Sequence, residues 1–302
     1  MGIYVEVLMH APMESLWAHT QEPSLHERWD LRFSTIEYLP RPDPSEPQRF
    51  LYATRIGFGM QVAGEGESLG ERNLPGDSRV SSLKFSSDDF RSLIREGSGY
   101  WKYIPTPEGI RFLTWYDYRT RFGLFGKLFD RAVFRPMIGW ATAWSFDRLR
   151  LWLERGVPPA VALRQAVTHT FARIAMAFVF AYHGLVPKLL RRDPDELAML
   201  RDLGTPTAWA PTALTLAGLA ELLLAIVLVL DHRRRWPVVA VLFVMAAATA
   251  TVAIGSPRYL GAAFNPVSLN MCVAALAAID LLNLGDLPSA SNCRRTPPPG
   301  ES

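Results

Sequence analysis

The chain has 302 residues, 49% hydrophobic and 20% charged, with a formal net charge of +3. So slight a positive balance excludes the dense basic surface of a nucleic-acid binder. Its two cysteines, Cys272 and Cys293, form neither a CxxC pair nor a metal-ligand spacing, so no metal is expected. The averages hide a division: residues 1–165 carry 21 Lys/Arg against 20 Asp/Glu, whereas residues 166–302 carry 11 against 9, clustered between long apolar runs. The first part reads as a water-soluble domain and the second as a bilayer segment.

In chain order, the opening MGIYVEVLMHAP has no basic stretch followed by an apolar one, so no cleavable signal peptide is expected. Glu6 stands where a myristoylation motif needs Ser or Thr. Ile3, Val5 and Val7 alternate with Tyr4, Glu6 and Leu8 as in a strand, and Pro12 sits well at the first position of a short helix through Leu16 and Trp17. Further strands are expected at about 33–39, 48–58, 61–69, 79–86, 97–105 and 110–121, divided by turn-rich pieces such as Arg41–Pro47 and Leu74–Asp77. A helical tract then runs over about 126–154, interrupted or bent at Pro136. Strand, short helix, antiparallel strands and long final helix make an α+β pattern, a curved sheet gripping one helix.

Ala11, Pro12, Glu14, Leu16 and Trp17, followed by Pro23, Trp29 and Asp30, resemble the motif that joins first strand to first helix in the START-like, or SRPBCC, superfamily. The resemblance covers about residues 2–155. It implies a helix-grip fold with a hydrophobic cavity for a lipid-like or polycyclic ligand, but no shared chemistry, since the superfamily includes cyclases, hydratases and carriers. Trp17, Trp29, Trp101, Trp115 and Tyr116 are the cavity candidates. No nucleophile elbow, phosphate loop or dinucleotide fingerprint is present. Asp117, Glu65 and Tyr116 are read as cavity-lining polar residues rather than as an acid/base set, and Gly57–Gly59 and Gly64–Gly66 as bulged strands. The tract from Tyr118 to Trp140 mixes cations with large aromatics; Arg119, Arg121, Phe122, Phe125 and Lys127 are its membrane-interface candidates.

After a linker at 156–167 come four apolar segments of about 20 residues, at about 168–190, 211–230, 236–256 and 264–284, each long enough to cross a hydrocarbon core of roughly 30 Å. Together they form an all-α four-helix transmembrane bundle, residues 168–285, with a disordered tail at 286–302. The basic turn Asp231–Trp236 places the N-terminal domain and the C-terminus in the cytoplasm, and the protein in the cell's inner membrane. Charges in mid-span are costly, so His183, Lys188, Glu221, Asn265 and Asn270 are the polar candidates of the bundle, Asp280 also punctuates the fourth span, and Arg173 is expected to snorkel. Phe180, His183, Gly184, Leu185, Pro187 and Lys188 in the first span, Gly218 and Glu221 in the second, and Phe264, Asn265, Pro266 and Asn270 entering the fourth resemble DoxX-like membrane proteins. That family's name derives from a subunit associated with thiosulfate:quinone oxidoreduction; no cofactor is evident from the residues, a quinone is the one this resemblance allows, and no cysteine pair supports thiol chemistry.

The leading expectation is a membrane-tethered module that binds or transfers a hydrophobic ligand, such as a lipid, isoprenoid or quinone, and is not itself an enzyme. The alternatives are quinone-linked redox chemistry in the bundle, cyclase-like chemistry in the soluble cavity, or an anchor that assembles complexes. The bilayer and an apolar small molecule are the expected partners; nucleic acid is not, and a homo-oligomer is left open.

Overall fold

The computed structural model describes residues 2–41, 43, 45–57, 59–263 and 265–299, leaving Phe58 and Phe264 of the expected motifs outside the described residues. The chain forms two compact units: Met1–Leu163 with Pro288–Ser302, and Arg164–Leu287.

In the first unit, β1 (Ile3–Met9) leads to α1 (Met13–Gln21) and α2 (Pro23–Trp29). Pro23, at the first position of α2, preorganises a helix that hydrophobic periodicity alone did not reveal. β2 (Thr35–Tyr38), β3 (Arg49–Gly57), β4 (Met60–Leu74), β5 (Ser78–Ser86), β6 (Ile94–Thr106) and β7 (Gly109–Thr120) follow. They form one antiparallel sheet in the order β1-β7-β6-β5-β4-β3-β2, so each strand from β3 onward pairs with its predecessor, β7 also pairs with β1, and β1 and β2 are the two edges. Phe50 and Tyr52 lie over Gly66 and Gly64, their cross-strand partners, where an added Cβ would meet the rings. These glycines leave room for aromatics, and at that point the strand pairing is regular.

Across the sheet lies α4 (Arg135–Arg155), preceded by α3 (Gly123–Phe129) and one wide π turn at Asp130–Phe134. Phe146 of α4 stacks on Phe112 of β7 at 4.5 Å, and the Thr142 and Tyr116 hydroxyls are 2.9 Å apart. This is an α+β helix-grip fold. The expected bend at Pro136 is corrected: that proline occupies the first turn of α4, where its missing N–H costs nothing, and the irregularity is the π turn before it. Gly156, at φ 67°, closes α4 with bonds from Gly156 N to Trp152 O (3.1 Å) and Val157 N to Leu151 O (3.3 Å). The break is therefore confined to about 156–158, since α5 (Pro159–His183) already runs through most of the expected linker.

The tail is also corrected. Ser289, Ala290 and Cys293 are buried, and Arg294 exchanges backbone hydrogen bonds with Glu6 of β1 at 2.9 and 2.8 Å. Asp147, fully buried on α4, accepts from Ser289 N (2.7 Å), Asn292 Nδ2 (2.9 Å) and Arg150 Nε (2.7 Å). A buried carboxylate demands such partners. Composition alone marked the tail as disordered because its anchoring group lies on α4.

The second unit is all helical. α5 continues through a π segment at Gly184–Arg191; α6 (Pro194–Asp202), α7 (Ala210–Leu230), α8 (Trp236–Gly255) and α9 (Pro266–Asn283) follow. Among the described residues four helices are long and apolar enough to span a membrane: Pro159–Arg191, Ala210–Leu230, Trp236–Gly255 and Pro266–Asn283. Their core packs Met176, Phe180, Leu228, Val241, Val273 and Ala277. Phe171, Phe178, Leu223, Phe243, Ile254 and Leu282 face outward and exposed, a surface that hydrocarbon solvates and water does not.

Candidate functional site

Between the concave face of the sheet, α1–α2 and α4 lies a cavity of about 170 Å³. Its wall is largely aromatic and aliphatic, with Phe33, Tyr52, Leu83, Phe85, Trp101 and Tyr116 among its lining. Arg32 in this wall is tightly paired to Asp30, which is buried behind the lining. Arg32 donates from Nε to Asp30 Oδ1 (2.9 Å) and from Nη2 to Asp30 Oδ2 (2.6 Å), a bidentate geometry. His26 Nε2 meets the same carboxylate at 3.1 Å, and its ring stacks on Trp29 at 5.0 Å. The guanidinium also lies over the Tyr116 ring, 5.5 Å from its centre. Burial opposes the Asp30 charge, yet Arg32 and His26 hold its carboxyl well below the usual carboxylate range. Burial is also the largest influence on His26 and lowers its pKa, outweighing the pull of Asp30, so the ring is neutral at pH 7. Gln21 donates to the Tyr103 hydroxyl (2.9 Å), and burial pushes Tyr52 up to about 12, so these groups act as neutral hydrogen-bonding partners.

In the bundle, three residues of the sequence motifs converge. Lys188 Nζ, buried in the π segment, lies 3.2 Å from Glu221 Oε1 on α7 and 3.1 Å from Glu196 Oε1 on α6. Gly184 and Gly218 make this approach possible: a Cβ on either would fall 2.6 or 2.8 Å from the other's carbonyl oxygen. His183 lies within electrostatic reach of Lys188 and Glu196. Glu221 Oε2 is buried without a hydrogen-bond partner.

A sequence model of the DoxX-like family matches residues 177–278, the stretch that contains every residue of this cluster. Over nearly its whole length the chain is similar to the uncharacterized membrane protein YndG of Bacillus subtilis (strain 168), with 41% identity over 294 residues, 97% of each chain. The chain belongs to one family with YndG, and residues 177–278 are its DoxX-like domain. Among solved structures, hypothetical protein jhp0584 from Helicobacter pylori is similar at 15% identity and a TM-score of 0.41, covering 51% of this chain and 88% of that one. The STAR-related lipid transfer protein from Xanthomonas axonopodis is similar at 14% identity and a TM-score of 0.38, covering 49% and 82%. The helix-grip assignment itself rests on strand order and register.

The remaining polar candidates of the DoxX-like bundle separate from the Lys188–Glu221 pair. Asn265 caps α9, accepting from Ser268 N at 2.8 Å, and Asn270 donates to Thr249 Oγ1 at 3.2 Å between helices. Arg173 does not snorkel. It is buried, donating from Nε to Asp280 Oδ2 (2.6 Å) and from Nη2 to Arg234 O (2.7 Å), while His169 Nδ1 bonds the other Asp280 oxygen. An acid within reach on α9 makes pairing better than reaching for water. Among the described residues no group of three or more His, Cys, Asp or Glu side chains is arranged to hold a metal.

In the helix-grip unit, Trp101 and Tyr116 line the cavity, whereas Trp29 sits behind it, fully buried and donating to His19 O at 2.8 Å. Trp17 packs on Tyr103 (5.0 Å) beneath Arg79, outside the lining. Trp115 faces away because successive residues on β7 face opposite sides; it stacks on Tyr100 at 6.1 Å. Arg32 was missed, although Trp29-Asp30-Leu31-Arg32 holds a carboxylate and a guanidinium two residues apart, directly after the helix motif. Of the interface candidates, Arg119, Phe122, Phe125 and Lys127 are exposed. Arg121 is half-buried and bonds Ser87 O, so it serves the fold.

Proposed function

We propose that the protein is a membrane-anchored binding module whose helix-grip cavity takes up a small apolar molecule bearing one neutral hydrogen-bond acceptor, and exchanges it with the bilayer. The observation that carries this reading is Arg32, paired to the buried Asp30, set in a largely aromatic cavity wall. Such a wall favours an apolar body. The guanidinium offers N–H donors for an oxygen, while Asp30 already balances its charge, so a carbonyl or hydroxyl suits the site better than a carboxylate. Lipids, isoprenoids and quinones with such an oxygen all fit this description.

The test is native mass spectrometry of full-length protein, gently extracted, comparing wild type with Leu83→Trp. Leu83 lines the cavity, and the larger ring fills it without removing a polar partner. Wild type should retain about one apolar molecule per chain, and Leu83→Trp should lose it. Bulk phospholipid alone on both proteins would sink the proposal.

A second reading places redox chemistry, with a quinone as the apolar partner, at Lys188 and Glu221. It is favoured by the unpartnered Glu221 Oε2, which leaves one acceptor open in the bundle interior. Quinol-dependent turnover is the measurement that separates it from simple binding. The basic turn between α7 and α8 supports a cytoplasmic position for the helix-grip unit.

A further inference from the structure

The segment between β7 and α4 has an inverted surface. A helix on a water-facing domain turns its apolar side chains inward and its charges outward. Here Leu124 is 74% exposed, Phe125 75%, Leu128 60% and Phe122 57%, and Phe129, Val133, Met137 and Trp140 are exposed as well. The inward positions belong to Gly126, where a Cβ would lie 1.8 Å from Arg121 O, and to Asp130. Asp130 is fixed by Tyr118 Oη at 2.6 Å and Arg135 Nε at 2.9 Å. A polar anchor thus holds an apolar surface outward.

The turn that starts this segment is informative. Phe122 and Gly123 are both left-handed, at φ 64° and 54°. Glycine tolerates that conformation and phenylalanine is strained in it. Since the Phe122 ring is exposed, nothing in the fold accounts for the choice.

The charge on the patch has one sign. Lys127 and Arg131 are exposed and have no ion-pair partner among the described residues, and Arg119 pairs only with the exposed Glu96. The one acid of the segment, Asp130, is buried. Two copies of such a patch would bring like charges together, whereas an anionic leaflet supplies hydrocarbon for the rings and phosphate for the cations. The same chain carries four membrane spans, so the bilayer is always present at high effective concentration.

We propose that Phe122–Trp140 is a membrane-docking surface that inserts its exposed rings into the interface of a leaflet bearing anionic lipid. The inference goes beyond the ligand proposal, because it holds whether or not the cavity is occupied. Full-length protein carrying Cys272→Ser is spin-labelled at Phe125→Cys or, as a control, at Phe90→Cys, which is equally exposed on the β5–β6 connection. It is then reconstituted in phosphatidylcholine vesicles with and without phosphatidylglycerol. The label at 125 should be open to oxygen and shielded from a nickel chelate, with the ratio several-fold lower when phosphatidylglycerol is omitted; the label at 90 should be open to nickel. Nickel access at 125 equal to that at 90 overturns the proposal, and so does shielding from both reagents, which would mean protein contact. Phe122→Gly adds an independent arm: it should melt at the same or a higher temperature while the ratio at 125 falls. A lower melting temperature with an unchanged ratio would assign the ring to the fold.

Discussion

His26 and Asp30 share one hydrogen bond but respond to acid at different pH values. Burial lowers the folded pKa of His26 below its unfolded value near 6.5, so as pH falls through about 6.5 the unfolded chain takes a proton that the folded one refuses. Stability therefore declines from that point downward. Asp30, its pKa depressed chiefly by Arg32 against the cost of burial, contributes stability that is complete above its unfolded pKa of about 4 and is lost below it. Acid unfolding of the helix-grip unit should show both regions. His26→Gln, whose amide can still donate to Asp30, should flatten the decline between pH 7 and 5 and leave the lower one in place. Thermal scans of the full protein followed by tryptophan fluorescence would check this; parallel slopes for the two proteins would remove His26 as the cause. At this scale the sequence was partly legible. Aromatic identity located the cavity wall at Trp101 and Tyr116, but Trp115 and Tyr116 are neighbours on one strand, and only one of them can face inward. The Arg32–Asp30 pair was hidden because its meaning depends on what the sheet places around it.

Apart from α2, α6 and the early start of α5, most helices and strands followed from periodicity or from the length of apolar runs, because burial on one face repeats along an element. Irregular segments did not. The π turns at Asp130–Phe134 and Gly184–Arg191 have no periodic signature, and each holds a charged residue in a buried position, Asp130 in the first and Lys188 in the second. The Lys188–Glu221 contact was equally illegible in one dimension, since it depends on Gly184 and Gly218 bringing two backbones together. A neutral isostere tests what this contact does. In Glu221→Gln the volume is kept and Lys188 retains Glu196, so the bundle should melt within about 1 kcal/mol of wild type. If the redox reading is right, quinol-dependent turnover should nonetheless fall by two orders of magnitude or more. Unchanged turnover in a stable Glu221→Gln protein would remove that reading and leave the pair a structural one.

For the molecule as a whole, connectivity and the buried ion pair fix which ends of the bundle lie together. The chain leaves the helix-grip unit near Leu163 and returns at Pro288 after four spans. Arg173 of α5, Asp280 of α9 and the backbone of Arg234 between α7 and α8 are joined at one end of the bundle. The start of the first span, the α7–α8 turn and the end of the fourth span therefore share a side. That turn places Arg233, Arg234 and Arg235 in succession, whereas at the opposite end Arg258 is bound to Asp202 at 2.8 Å. Arginines concentrated in so short a turn resist translocation, and a surface of Lys127 and Arg131 suits the anionic cytoplasmic leaflet. Both arguments favour the proposed cytoplasmic position of the helix-grip unit. In a Cys272→Ser background, Thr207→Cys, between α6 and α7, should react with an impermeant maleimide on intact cells, and Arg234→Cys only after permeabilisation. The opposite pattern would put the helix-grip unit outside and remove the cytoplasmic leaflet as its docking partner. Labelling of both in intact cells would mean that the chain inserts in two orientations, which three arginines in one turn should prevent.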